Sequence, residues 1–462
     1  MRIHFVVFLL MVSLLVIRPI PRSSTLEAGQ DDLRLQLRQM EEVIKNQQAM
    51  LEALKIKVEA HEKVEQLSTA DQDKIIGEKI EAYLHKEQFE GNLAKMLRPP
   101  VEIGYKKGFY FQTSDGRFNM RMTGRLQMRY GYEDRDATGD DDSSYSLRRA
   151  RLKWDGYAYD HFKYKIELAL KSTGTKSTSS SDKDMAKAVE LVDWWAEYGK
   201  YNFAKIRFGQ WKVPFNRQRV VSSSELQMID RSLAQDEFNM NRQIGAQISG
   251  KTHNKQLEYY LGMFNGNNRN ESANGDTRHM YIARLSWSNP GGYGKGIGEQ
   301  EADVAWSEKP LYHVSAAISF DDASDLEFTL RDGNRVSSDD VDRTHLVGEY
   351  GFKYKGFSSN AEVYWSKAHD IGGKDIANSG FFVQGGYFII PHRFEVAGRY
   401  SYVDYDEQLK DDALQEVALG LNWYFERHHN NKLQFNYVNV DERIPGADVN
   451  DKFYRMQYQI AF

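Results

Sequence analysis

The chain contains no cysteine in 462 residues. Disulfides and thiolate metal sites are excluded, and the absence suits an oxidising compartment in which stray thiols are a liability. Proline is scarce, nine in all, and two of them stand together at Pro99-Pro100, where a helix stops. No apolar run is long enough to span a bilayer comfortably as a helix. The longest, Phe5 to Ile17, has the length of a signal-peptide core and follows Arg2. Neither sign of charge prevails: 61 Lys and Arg stand against 66 Asp and Glu, which gives no reason to expect nucleic acid as a partner.

What is abundant is aromatic and polar at once. Tyr and Phe number 27 and 24, and 27% of residues are charged. Mean hydropathy is -0.65. A helical membrane protein is never so polar; a membrane β-barrel is, because only alternate residues face lipid while lumen and loops are wet. Residues 1–29 read as a secretory signal with no clear cleavage site, an uncleaved anchor being the alternative.

From residue 30 to 100 the period is helical. Leu37, Ile44, Leu51 and Val58 fall at one core position of a heptad, and Leu33, Met40, Gln47 and Leu54 at the other. So narrow a seam predicts a coiled coil with partner helices, Gln47 fixing register at some cost in stability.

After Pro100 the period becomes two. In the stretch 453–462, Tyr454, Met456, Tyr458, Ile460 and Phe462 alternate with Arg455, Gln457 and Gln459, a strand with one apolar face. Phe462 resembles the terminal aromatic by which outer-membrane barrels are recognised for insertion. The same grammar recurs about sixteen times, with starts near 118, 145, 162, 188, 203, 242, 255, 279, 311, 344, 357, 380, 393, 414, 431 and 452. Long polar spacers follow odd-numbered strands and very short ones follow even-numbered strands, as in an outer-membrane barrel. Two places break the pattern: 289–310 is a long Gly-rich connection where a tight turn is expected, and 188–199 carries apolar residues on both faces. The expected architecture is all-β, a 16-stranded antiparallel transmembrane barrel over 101–462, preceded by an α-helical coiled-coil segment over 30–100.

If the apolar faces meet lipid, the intervening residues line a lumen. These include Arg121, Arg125, Arg129, Arg149, Arg151, Lys153, Lys163, Lys165, Lys205, Arg207, Arg284 and Arg399. Acidic candidates are fewer: Asp155, Glu167, Glu349, Glu362, Glu395 and Glu416. A basic lumen in a low-dielectric wall concentrates anions, so passive diffusion of small anionic solutes is expected, with no cofactor and no catalytic residue. The plainer alternative is a general, non-selective porin whose basic residues only solvate and pair. A hydrolase would need a Ser, a His and an orienting group on one wall, and no G-x-S-x-G motif is present. Asp134 begins a calcium-like loop, but Tyr145 stands where the closing Glu belongs.

The chain also resembles the phosphate-selective porins O and P. The residues that carry the resemblance are Leu147-Arg148-Arg149-Ala150-Arg151-Leu152 with Gly156 and Tyr164. They continue in the run from Phe208 to Phe215, in Ile229-Asp230-Arg231-Ser232, Phe264-Asn265-Gly266, Ala283-Arg284-Leu285 and Gly398-Arg399-Tyr400. Ile229-Asp230 stands where an acidic pair is usual. The resemblance implies a homotrimer, which would give the heptads their partners, and an inward-folded third loop at 214–241. That loop carries Arg217, Arg219, Glu225, Asp230 and Arg231 as constriction candidates, and the family's phosphate preference comes with it. A structural tether acting through the coiled coil is the other function open to this sequence. Deleting 30–97 separates the two: loss of envelope attachment with conductance intact supports tethering, and unchanged attachment removes it.

Overall fold

The computed structural model describes residues 101–136, 141–170, 189–271, 277–289, 300–323, 326–329, 335–338, 341–371, 374–405, 413–444 and 447–462, together with Lys74, Gly77, Glu78 and Glu81. The signal segment and the heptad positions from Leu33 to Val58 lie outside the described residues.

Two short strands precede the barrel, β1 (Val101–Tyr105) and β2 (Phe109–Thr113). A barrel follows: β3 (Phe118–Arg135), β4 (Asp142–Ala158), β5 (Phe162–Leu170), β6 (Val189–Tyr201), β7 (Ala204–Lys212), β8 (Arg242–Lys251), β9 (Leu257–Phe264), β10 (Met280–Ser288) and β11 (Leu311–Ala323). After a separate hairpin of β12 (Leu326–Thr329) and β13 (Arg335–Ser338), the wall resumes with β14 (Val341–Tyr354), β15 (Phe357–Ile371), β16 (Lys374–Ile390), β17 (Phe394–Asp404), β18 (Ala413–Tyr424), β19 (Asn431–Ile444) and β20 (Ala447–Ala461). Sixteen of the strands form a closed antiparallel ring, because β20 pairs with β3 from Asp451↔Arg135 to Ala461↔Arg125. Pairing runs on through Phe462, whose N–H donates to Gly124 O at 3.0 Å while Gly124 N donates to Phe462 O at 2.9 Å. Beyond it β2 takes the same edge of β3, with Tyr110 opposite Arg121.

Alternation sets the two faces, and bulges mark where it slips. Val192 is left without a partner between the pairs Glu167↔Asp193 and Leu168↔Leu191, so Leu191 and Trp194 both point outward although three residues apart. This accounts for the mixed phase of 188–199. Arg148 is bulged in the same way between Gln127↔Arg149 and Met128↔Leu147. Outside, the apolar face is bare: Val363 is 61% exposed and Leu419 57%. A continuous band of such residues fits lipid, not water. Aromatic pairs gather at the turn end of the wall, among them Phe118–Tyr159, Phe162–Tyr198, Tyr312–Phe352 and Phe394–Trp423, the girdle expected at a bilayer interface.

The turns are tight at that end. Lys355 and Gly356 join β14 to β15 with φ of 47° and 80°, the two left-handed residues of a type I′ hairpin. A Cβ at Gly356 would also strike the Trp306 ring. Trp306 belongs to the connection between β10 and β11, whose described residues 300–310 fold back into the barrel; Glu301, Ala302, Asp303 and Val304 are buried there. Gly356→Val therefore combines an unfavourable φ, about 1–2 kcal/mol, with loss of the Trp306 contact. The heat-induced conversion of the folded band on a semi-native gel is expected at a lower temperature than in the wild type.

Candidate functional site

The connection between β7 and β8, residues 213–241, also turns inward, and it is the longest stretch of non-strand structure described. It carries two helical turns, α1 (Arg217–Val220) and α2 (Leu233–Phe238). Ser232 caps α2, its Oγ accepting from Gln235 N at 3.1 Å, as an N-cap serine does. Inward-facing apolar residues make a seat for the loop. Phe215, Ala234, Phe238 and Met240 pack with Phe264, Met280, Ile282, Val347, Tyr364, Phe382 and Val403 of the wall, and Phe238 stacks on Tyr364 at 5.2 Å and 7°. Small residues make room further along. A Cβ at Gly420 would lie 2.7 Å from Met228 Sδ, and one at Gly386 would overlap the Gln227 amide.

Many polar groups of the loop are matched to the wall. Arg217 is buried: its N–H donates to Glu349 at 2.8 Å and its guanidinium to Asn360 Oδ1 at 2.6 Å. Glu362 accepts from Gln218 N at 2.6 Å. The carbonyls of Leu226 and Gln227 accept from Lys432 and Asn422, each at 2.8 Å, and Ile229 N donates to Asn436 at 2.7 Å. Arg284 and Arg399 are buried behind the loop. Arg284 donates to Glu349 at 2.7 Å, while Arg399 pairs with Glu416 and donates to Asp230 O at 2.9 Å. These two ladder positions hold the loop from behind.

At the far side of the lumen the loop reaches β3. Arg125 donates to the hydroxyls of Ser222 and Ser223 at 3.2 and 3.1 Å. Asp230 receives Arg129 at 2.8 Å, Arg455 at 3.2 Å and Arg148 at 3.5 Å. Burial alone would raise the Asp230 carboxyl, but these guanidiniums outweigh it and hold it well below the usual carboxylate range. Glu225 sits nearby, its carboxylate 3.6 Å from His429 Nε2.

The remaining basic residues divide by partner. Arg121 and Lys153 share Asp155, at 2.6 and 3.0 Å. Arg151, Lys165 and Arg242 alternate with Glu167 and Asp193 in one chain of ion pairs. Arg207 binds Glu197 at 2.6 Å and lies over the Trp195 ring at 4.2 Å. Together with the Asp230 clamp, the first two groups set eight cations, Arg121, Lys153, Arg151, Lys165, Arg242, Arg129, Arg148 and Arg455, against four carboxylates. Arg125, Arg149, Lys163, Lys205, Lys212, Arg219 and Arg231 make no ion pair among the described residues. Arg149 donates to Gln127 at 3.1 Å and Arg219 to Asn241. Lys212 and Arg231 donate to Val221 O at 2.9 and 2.7 Å. Arg219 and Arg231 lie in the field of Arg151 and Arg242 and also in that of Asp236, with Glu301 acting on Arg231 as well. The loop edge and the β4–β8 wall thus face each other with an excess of positive charge.

Alternation gave the phase of these residues but not their partners. Arg148 was hidden by the bulge, Asp193 by the mixed phase of β6, and Lys212 and Arg242 by their position at the loop's two ends. Arg455 stands on the polar face of β20, where its alternation with Met456 was the available signal.

The family model for phosphate-selective porin O and P matches residues 120–462. An uncharacterized protein of Aquifex aeolicus (strain VF5) is 24% identical over 367 residues, 70% of this chain and 83% of that one. Among solved structures, the fold is similar to an anion-selective porin from Comamonas acidovorans, with TM-score 0.52 and 11% identity over 74% of this chain and 99% of that one. It is also similar to the outer membrane channel DcaP of Acinetobacter baumannii, with TM-score 0.50 and 15% identity over 76% and 99%.

Asp230→Asn removes the charge that gathers three guanidiniums and costs the docked loop about 1.5–3 kcal/mol. Noisier open-channel current is expected in single-channel recordings. In the wild type the depressed carboxyl makes this contact fully present above the unfolded Asp value of about 3.9 and lost only as pH falls through the lower folded value. Recordings are therefore expected to stay quiet from pH 7 down to about 4.

Proposed function

The chain belongs to the phosphate-selective porin O and P family and resides in the outer membrane of a Gram-negative bacterium, and we propose that it forms a water-filled channel that passes small anionic solutes, phosphate among them, by passive diffusion. The observation that carries this reading is the group of seven basic residues without a carboxylate partner, set along the loop edge and the facing wall. In a low-dielectric wall such an excess raises the local concentration of anions and depletes cations. Guanidiniums also suit phosphate and carboxylate oxygens, which accept two parallel N–H bonds. Arg149 and Arg219 each spend a hydrogen bond on a neutral amide, leaving further donors for a passing anion.

The observation that favours a general, non-selective porin is the pairing of Arg121, Arg151, Lys153, Lys165 and Arg207 with acids. The unpaired residues weigh more, because selectivity follows net charge at the narrow section. In this reading the protein is a channel and not an enzyme. Assembly as a homotrimer, clasped by the heptads of 30–97, belongs to the same proposal.

The test is the reversal potential of the purified protein in a planar bilayer under a KCl gradient, repeated with phosphate added. Anion selectivity with block by phosphate is expected, and Arg149→Gln with Arg219→Gln is expected to lower the anion-to-cation permeability ratio about threefold. Cation selectivity in the wild type would refute the reading.

A further inference from the structure

The long connection between β10 and β11 lies at the end of the barrel where the other turns are tight, and its described part does not stay outside. Residues 300–310 climb into the lumen from the turn side and meet the 213–241 loop from below. Glu301 is 1% exposed. Its carboxylate accepts from Gln227 N at 2.8 Å and from the side-chain amides of Gln218 and Gln384, each at 3.0 Å. Gln218 stands in α1 and Gln227 near the loop's tip, so one carboxylate ties together two distant parts of the loop and the β16 wall. The backbone joins in: Glu301 N donates to Glu225 O at 3.1 Å, and Gln300 O accepts from Arg217 Nη2 at 2.9 Å.

The foot of the segment is fixed to the wall by other residues. Asp303 accepts from Ser307 N at 2.9 Å and from Gly356 N at 2.9 Å, which fastens it to the turn between β14 and β15. His392, in the turn between β16 and β17, has Nδ1 2.8 Å from Val304 O. Val304 packs with Phe388 and Tyr424, and Trp306 borders the same cluster. The segment is therefore braced at two wall turns and ends on the loop. A buried carboxylate whose oxygens are filled by three N–H donors is strongly disfavoured if left unmatched on either side, so the loop and the segment hold their positions jointly.

We propose that residues 300–310 are a second constriction element, in which Glu301, anchored through Asp303, positions the 213–241 loop and so sets the width of the channel. Glu301 is a positioning residue: it faces the loop, and passing solute meets the loop's other edge. The inference rests on the channel reading alone and is independent of the anion preference, since a brace fixes width for neutral and charged solutes alike.

The experiment measures single-channel conductance together with the size of neutral polyethylene glycols that enter the pore, for the full chain in planar bilayers. Glu301→Ala and Asp303→Asn are expected to raise conductance about 1.5-fold or more and to admit larger polymers, with the sign of the reversal potential unchanged. Both variants folded on a semi-native gel, with wild-type conductance and wild-type polymer cut-off, overturn the proposal. Because the chain has no native cysteine, the pair Glu225→Cys with Glu301→Cys supplies a second reading that does not depend on Glu301→Ala folding. Reduced, it is expected to be wide; oxidised, the new disulfide replaces the lost contact and the wild-type cut-off returns. An identical cut-off in the two redox states, with the cross-link verified, overturns the proposal as well.

Discussion

Closure of β20 on β3 is the contact on which the rest of the structure depends. A strand in hydrocarbon has no water to satisfy its backbone, so an open edge at this depth is not tolerated. Pairing from Arg135 to Gly124 removes that edge, and β2 continues it along the remainder of β3. Once the ring is closed, side chains have two destinations. The outer ones become a bare apolar band between aromatic residues, and the inner ones enclose a space that must be filled or wetted.

Both happen, on opposite sides. On the β14–β20 side the inner residues are almost completely covered: Gln384, Glu395, Asn422 and Lys432 have no exposed surface, and each has a hydrogen-bond partner in the inserted loop or beside it. On the β4–β7 side Arg151, Lys153, Lys165 and Arg207 stay partly exposed. The loop is what creates this division. It presents matched polar groups and an apolar seat to one wall, and Arg219 and Arg231 toward the other, where Lys212 ends β7. Burying so many polar groups is tolerable because most of them are paired, the side-chain amides of Gln235 and Gln457 being exceptions among the described residues. The positive excess at the open side then follows from what the loop does not cover.

Every strand of the ring was legible in the sequence, most starts to within a residue or two, while β4, β14, β16 and β20 begin three to six residues earlier than alternation places them. Phe109–Thr113, and starts at Phe118, Phe162, Arg242, Leu311, Phe357 and Asn431, fall where alternation places them, because a lipid-facing strand has little freedom in its pattern. The inward loop was legible from its length and from the resemblance. Three things were not. Alternation tells which face a residue occupies but not the register, so the sharing of Asp155 by Arg121 and Lys153 was not readable. The bulge at Arg148 shifts phase by one residue without a local sequence signal, and the one at Val192 showed only as the mixed phase of 188–199. Inward apolar residues such as Phe264, Ile282 and Phe382 look like noise in a polar face until the loop that rests on them is in place. The Gly-rich break at 289–310 was visible as an anomaly, and its inward course depended on partners far away in sequence, Gln218, Gln227 and Gln384.

The off-centre placement of the loop also divides the barrel into two regimes of inheritance. Inner positions on β14–β20 answer to packing, where a changed volume or an orphaned donor is felt at once, so their residues should drift slowly and in concert with the loop. Inner positions on β4, β5 and β7 answer to water, which forgives changes of size and charge. Transport preference can thus be retuned along one half of the wall while the other half keeps the fold in order.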